Sequence, residues 1–294
     1  MLLGFPESIS QAQALAEELQ LPCAEVQLHT FPDGESLIQL PPELPDTVII
    51  YRSLNAPNSK LVELYLVSEH LREQGVKQQI LVAPYLCYMR QDKSFAPGQI
   101  ISQRHIGHWL ANLFDALITV DPHLHRVTSL EQAIPVKHAS TLHATQAISD
   151  FIQSHYPQDI ILLGPDSESE QWVASLASPM GLQYAVASKT RRGDRKVEIQ
   201  LPAINFKQRH VVMVDDIISS GHTMMVACGQ LKLSGASQVD CIITHALFTE
   251  ETIKQLNAAG ITQIISSDTV VHSSNKISLL QTLSAELGRL LNHE

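Results

Sequence analysis

At 294 residues the chain has room for two ordinary domains, each able to bury a core of its own. Its 44% hydrophobic and 17% charged residues exclude a disordered polypeptide. A net charge of −10 excludes a broad nucleic-acid-binding face, which needs clustered Lys and Arg, so a phosphate ligand must find its cations locally.

Leu2 to Phe5 reads as a short strand, and Ser8 opens a helix with Ala12, Leu15, Ala16 and Leu19 at helical spacing, closed near Leu21-Pro22. Cys23 to His29 is the next predicted strand. Thr30-Phe31-Pro32-Asp33-Gly34-Glu35-Ser36 follows as a turn, by its Pro and Asp-Gly content. Thr47 to Tyr51 is strand-like, and Leu61, Leu64, Tyr65, Val67, Ser68 and Leu71 carry a helix that starts at Pro57-Asn58-Ser59. Gln79 to Ala83 is a strand that runs into Pro84-Tyr85-Leu86-Cys87-Tyr88-Met89-Arg90-Gln91-Asp92-Lys93. There Arg90 offers a planar fork to a phosphate or a purine face, and Gln91 and Asp92 can read an adenine edge or a ribose; solvated loop charges are the plainer reading. After a loop, Phe95 to Gln99, a mostly buried helix runs from Ile100 to Leu113. The strand Ala116 to Val120 then leads into Asp121-Pro122-His123-Leu124-His125-Arg126. Imidazole and carboxylate at a strand's carboxyl end suit a divalent metal with bound phosphates, although a lone His is more often only hydrogen-bonded.

Ile134 to Lys137 and a helix from Thr141 to His155 cross into the second half, giving expected domains 1–141 and 142–294. Asp159 to Leu163 is a strand, followed by the loop Gly164-Pro165-Asp166-Ser167-Glu168-Ser169 and a helix through Trp172, Val173, Leu176 and Ala177. The strand Leu182 to Ala187 gives way to Ser188-Lys189-Thr190-Arg191-Arg192-Gly193-Asp194-Arg195-Lys196, the dense basic run of an acidic chain, with Val197 to Leu201 as a returning strand. It reads as a mobile cationic flap over polyphosphate better than as a nucleic-acid patch. Beyond the run at 211–223, a helix ends at Gly235, Val239 to Thr244 is a strand and Phe248 to Leu256 a helix. Ile261 to Ser266 and Thr269 to His272 are the last predicted strands, and Ser278 to Leu291 a final amphipathic helix. The repeated strand-helix order points to two similar halves, without a sequence repeat strong enough to prove duplication. Cys23, Cys87, Cys228 and Cys241 are far apart, with no C-x-x-C pair, and read as free thiols, mostly buried. No stretch approaches the roughly 20 apolar residues that span a bilayer. With no basic run near Met1, these features predict a cytoplasmic protein without membrane or nucleic-acid partners.

The most informative stretch is Val211-Val212-Met213-Val214-Asp215-Asp216-Ile217-Ile218-Ser219-Ser220-Gly221-His222-Thr223. A strand buried on both faces runs into two carboxylates, a loop of small residues and then a helix. An isolated Asp-Asp most often ends a strand and caps a helix. In this order, however, the loop brings backbone N–H groups and a helix N-terminus to an oxyanion, with carboxylates beside it for sugar hydroxyls or a metal.

This run resembles the ribose-5-phosphate loop of type I phosphoribosyltransferases and, more closely, that of ribose-phosphate diphosphokinases, also called phosphoribosyl diphosphate synthases. Five further clusters, near residues 31, 90, 123, 166 and 189, match that family in order over nearly the whole chain. The resemblance implies an α/β protein of two type I phosphoribosyltransferase-like domains, each a mainly parallel sheet flanked by helices. It assigns ATP contacts to Phe31, Asp33, Glu35, Arg90, Gln91 and Asp92, in an N-terminal half whose hairpin the family places near a neighbouring subunit. It assigns the metal side to His123, supported by Asp121, and to Asp166. Catalytic duty falls to Lys189, Arg191 and His123, and ribose 5-phosphate contacts to Asp215, Asp216, Ser219, Ser220, Gly221 and Thr223. Ser102 matches the family's Ile-Ser entry to a helix, while Gln99 replaces a common Glu and His222 stands where Gly is usual. The implied reaction moves the diphosphoryl group of Mg-ATP to the C1 hydroxyl of ribose 5-phosphate, giving phosphoribosyl diphosphate and AMP, with Mg²⁺ as cofactor and a homo-oligomer as the working form. The alternatives are a phosphoribosyltransferase, which would not need the clusters near 31 and 90, and a catalytically silent regulatory relative.

Overall fold

The computed structural model describes residues 1–94, 96–124, 126–192 and 196–292, with the backbone alone at 168, 171, 189–192 and 196–198. Two units emerge, Met1–His143 with Leu280–Glu294 and Ala144–Leu279. In the first, β1 (Leu2–Gly4), β5 (Thr47–Tyr51), β6 (Gln78–Val82) and β7 (Ala116–Val120) are short apolar runs buried on both faces, the pattern a parallel sheet requires. With β2 (Cys23–Glu25) and β8 (His138–Leu142) they form one sheet in the order β2-β1-β5-β6-β7-β8, parallel throughout. Parallel neighbours need crossovers, which α1 (Ile9–Glu18), α2 (Pro57–Glu73), α3 (Ser102–Leu113) and the short α4 (Leu130–Ala133) supply. An antiparallel hairpin, β3 (Gln27–Thr30) and β4 (Ser36–Gln39), stands outside the sheet.

The second unit begins with α5 (Thr145–His155) and then repeats this plan. Its elements are β9 (Ile161–Gly164), α6 (Glu170–Met180), β10 (Gln183–Val186), the hairpin β11 (Ser188–Arg192) and β12 (Lys196–Gln200), β13 (His210–Ile218), α7 (His222–Leu233), β14 (Gln238–Ala246), α8 (Glu250–Ala258), β15 (Ile264–Ser267) and β16 (Asn275–Ile277). The sheet order β10-β9-β13-β14-β15-β16, again all parallel, matches that of the first unit position for position. A repeat that the residues do not spell out is therefore explicit in the topology. In each unit the chain moves one way from its first strand and returns on the other side, so the strand order reverses between β1 and β5 and between β9 and β13. Ligands of open α/β sheets bind at the carboxyl ends of the strands at such a point.

Several sequence expectations shift. The predicted strand Cys23 to His29 is two strands separated at the buried Val26, whose N–H donates to Gly4 O at 2.8 Å before the chain leaves the sheet for the hairpin. Thr141 belongs to β8, and the helix after it begins at Thr145. The last strand is Asn275–Ile277, not Thr269 to His272; Thr269 Oγ1 donates instead to Thr244 O at 2.8 Å, a side-chain bond that competes with ladder formation. The final helix, α9 (Leu280–Asn292), returns to the first unit, where the sequence had placed it with the second. It buries Leu283, Leu287 and Leu290, and its Glu286 Oε1 accepts from Ser140 Oγ of β8 at 2.5 Å. Among the described residues no helix is long and apolar enough to cross a membrane. All four cysteines are free, with Cys87, Cys228 and Cys241 buried and Cys23 half-buried.

Candidate active site

At the switch point of the second unit, β9 delivers Asp166 and β13 delivers Asp215 and Asp216. Gly164, at the end of β9, has no room for a side chain, because a Cβ there would lie 2.3 Å from Ser169 Oγ and 3.0 Å from Val173 Cγ2. The turn after it is held by Ser169, whose Oγ donates to Asp166 O at 2.6 Å. The three carboxylates are close enough to act on one another: burial, then the charges of Asp216 and Asp166, raise the pKa of Asp215 well above the ordinary carboxylate range. Asp215 Oδ1 also accepts the Asp216 N–H at 3.0 Å.

After Ile218, Ser219 and Ser220 are exposed and Gly221 turns the chain at φ +70°. That left-handed turn aims α7 back along the sheet, and no side chain caps the helix start. The first helical N–H groups therefore remain for an anion. Thr223 is half-buried in this first turn, and His222 is exposed at the first helical position. Its side chain needs no unusual backbone, since the positive φ falls on Gly221. The family's Gly at 222 is thus dispensable for the turn. Lys189 and Arg191 lie on β11, but their side chains fall outside the described residues.

In the first unit β6 and β7 are parallel neighbours, so the loops that follow them share the carboxyl end of the sheet. Arg90 and Gln91 are exposed, while the Asp92 carboxylate is 6% exposed and takes Arg126 through both oxygens at 2.9 Å. Tyr88 bends the first loop at φ +62°, with its hydroxyl donating to Asn58 Oδ1 at 2.6 Å. His123 is half-buried; His125 lies outside the described residues. Asp121 is held at φ +37°, and its Oδ1 meets His143 Nδ1 at 2.8 Å, a bond that raises the pKa of His143. Arg126 and His143 are the partners that sequence reasoning missed: both pairings join residues remote in the chain, and no local signal marks them.

The predicted turn at 30–36 is the tip of the β3–β4 hairpin. Phe31 N–H donates to Glu35 O at 2.8 Å, and Gly34 takes φ +94°. Asp33 Oδ1 accepts the Glu35 N–H at 3.2 Å, so this carboxylate braces the turn. Phe31 is 40% exposed, with its ring edge-on to His29.

Among the described residues no group of three or more His, Cys, Asp and Glu side chains forms a ready metal cage. Mg²⁺ rarely uses one, since it keeps several waters and takes one or two carboxylates with substrate phosphates. The like charges crowded at Asp166, Asp215 and Asp216 are hard oxygen donors that a divalent cation would relieve, so this donor set fits the ion.

A family model of the N-terminal domain of ribose phosphate pyrophosphokinase matches residues 1–113, and a phosphoribosyl transferase domain model matches residues 136–274. A ribose-phosphate pyrophosphokinase of Methanopyrus kandleri is 33% identical over 293 residues, spanning 99% of each chain. The chain belongs to the ribose-phosphate pyrophosphokinase family. It is accordingly an enzyme of the diphosphokinase class. The ribose-phosphate pyrophosphokinase of Saccharolobus solfataricus is 30% identical over 275 residues, covering 92% of this chain and 93% of its own. The crystal structure of phosphoribosylpyrophosphate synthetase from Mycobacterium smegmatis superposes with a TM-score of 0.87 at 21% identity, covering 100% of this chain and 99% of that one, which establishes the two-sheet fold. The match to a pyrophosphokinase N-terminal domain also disfavours a simple phosphoribosyltransferase, and the full-length relatives lend no support to a silent one.

Proposed function

We propose that this pyrophosphokinase-family enzyme transfers the diphosphoryl group of Mg-ATP to the C1 hydroxyl of ribose 5-phosphate, releasing phosphoribosyl diphosphate and AMP. The observation that carries the reading is kinship with ribose-phosphate pyrophosphokinases over 99% of the chain. The acidic pair and uncapped helix start at the second unit's switch point supply the matching chemistry.

In this reading the N–H groups opening α7, with Ser219, Ser220 and Thr223, bind the 5-phosphate around Gly221. Asp215 and Asp216 accept hydrogen bonds from the 2- and 3-hydroxyls. Arg90, Gln91 and Asp92 hold the nucleotide, together with Phe31, Asp33 and Glu35 of the hairpin. His123 in the first unit and Asp166 in the second are the residues that would each hold Mg²⁺, which would supply neutralisation of phosphate charge. Lys189 and Arg191 would neutralise the charge that builds on the transferred group as the C1 oxygen, its proton passing to solvent, forms its bond to the β-phosphorus and the bond from that phosphorus to the AMP oxygen breaks. Catalysis is mainly positioning and electrostatics. In this proposal the enzyme works in the cytoplasm as a homo-oligomer.

The test is to mix the protein with ribose 5-phosphate, ATP and Mg²⁺ and follow phosphorus by ³¹P NMR. AMP and a sugar-linked diphosphate should appear in equal amounts. ADP in place of AMP, or AMP formed without the sugar, would overturn the proposal.

A further inference from the structure

The first unit has a switch point of its own, between β1 and β5, and the chain fills it with its own charges. Where the second unit gathers Asp166, Asp215 and Asp216, the first sets Glu7 after β1 and Arg52 after β5. Arg52 is 2% exposed, with its guanidinium 3.7 Å from the centre of the Phe5 ring. Its Nε meets Glu7 Oε1 at 2.8 Å and a terminal nitrogen meets Glu63 Oε2 at 2.6 Å. Lys60 and Glu63, three residues apart on α2, face the same interior. Lys60 Nζ donates to Ser53 O at 2.7 Å and Asn55 Oδ1 at 2.8 Å, and lies 3.3 Å from Glu7 Oε1. Burial lowers the pKa of Lys60; burial of Glu7 is outweighed by Arg52 and Lys60, which hold that carboxyl below its usual range. Two cations and two carboxylates balance, leaving no net charge for a sugar phosphate to complement.

Glu63 divides its carboxylate. Oε2 is given to Arg52, and Oε1 accepts the Ser36 hydroxyl at 2.7 Å. Ser36 opens β4 directly after Glu35, and the hairpin it belongs to pairs only within itself. Among the described residues this is the side-chain hydrogen bond that ties the hairpin to the rest of its unit. We infer that Glu63, clamped by Arg52, is a positioning residue for the nucleotide: through Ser36 it fixes the hairpin that carries Phe31, Asp33 and Glu35. The filled pocket thereby serves as the footing of a nucleotide-binding loop. This inference rests on the proposed reaction.

Ser36→Ala removes the tether and leaves the ion quartet whole. The KM for ATP should rise about tenfold, the worth of a hydrogen bond to a charged acceptor. The values of kcat and of KM for ribose 5-phosphate should stay within about twofold on the same scale. Ser36→Thr, which keeps the hydroxyl, should restore the ATP value. Hydrogen exchange at the Phe31 and Gly34 amides should quicken in Ser36→Ala while β5 and β6 stay protected. A parallel rise in both KM values, or unchanged hairpin exchange, overturns the inference. If the wild-type protein forms no AMP, the reaction fails on its own account, and exchange at the hairpin still decides whether Glu63 anchors it.

Discussion

Asp215, half-buried, and Asp240, fully buried, are acids of the second unit whose surroundings give them opposite roles. Asp240, near the amino end of β14, is fully buried and saturated: Gln238 Nε2 at 3.1 Å, Tyr156 OH at 3.2 Å, His210 Nε2 at 2.9 Å and the Gln263 N–H at 3.1 Å all surround it. Such an acid holds the fold together. Desolvation of the Asp215 carboxyl, then the like charges of Asp216 and Asp166, make it hold a proton more tightly folded than unfolded. Its contribution to stability is present below the unfolded carboxylate pKa of about 4 and is lost as pH rises through the raised folded value. Asp215→Asn should therefore melt higher than wild type at neutral pH without ligands, by about 2–4 °C for each kcal/mol relieved, and the gain should vanish in melts near pH 4. Its KM for ribose 5-phosphate should rise. Lys189→Ala tests the transferred charge: ribose 5-phosphate binding by calorimetry should survive, while AMP formation falls by about 10²–10³, the usual cost of a lost oxyanion partner. The acidic pair was legible because it sits inside a patterned run. That Asp166 shares its field was not, since Asp166 and Asp215 lie 49 positions apart.

Elements show where local pattern was sufficient. The strand, small-residue loop and helix of 211–223 formed as the order of residue types required, and the turn rests on Gly221. An Ala there must adopt φ +70° and bring its Cβ to 3.0 Å from Thr252 Cγ2 and 3.1 Å from Leu256 Cδ2. Left-handed backbone costs an L residue roughly 1–2 kcal/mol, so Gly221→Ala should lower the urea midpoint by that free energy and weaken ribose 5-phosphate binding. The same substitution at Gly229, an exposed glycine of α7 with nothing near its Cβ, should instead be neutral or stabilising. Pattern failed at Thr269 to His272, a β-branched run that reads as a strand. Its hydroxyl and imidazole are spent on Thr244 O, His245 and Phe248 O, contacts that no local window of sequence contains.

At the scale of the whole molecule, the chain leaves its first unit after His143 and re-enters it at Leu280. α9 packs on α1, with Gln281 Nε2 donating to Glu18 Oε1 at 3.2 Å. A chain ending at Leu279 should lose the burial of Leu283, Leu287 and Leu290, each worth about 1.5–3 kcal/mol. In that truncation the amides of β1, β5 and β6 should exchange first while those of β13 and β14 remain protected. Protection lost equally in both sheets would show that the helix does not belong to one unit.

By itself the sequence determined the alternation of strand and helix, the anion loop, and the clusters whose order names the family, because each depends on residues adjacent in the chain or one helical turn apart. Only the tertiary structure decided that the two halves repeat one sheet order, that one switch point collects carboxylates while the other is filled by Arg52 and Lys60, and that the last helix belongs to the first unit. Charge pairing and apolar burial act through space, over a few ångströms, between residues the chain separates by dozens of positions, so their outcome depends on which surfaces folding brings together.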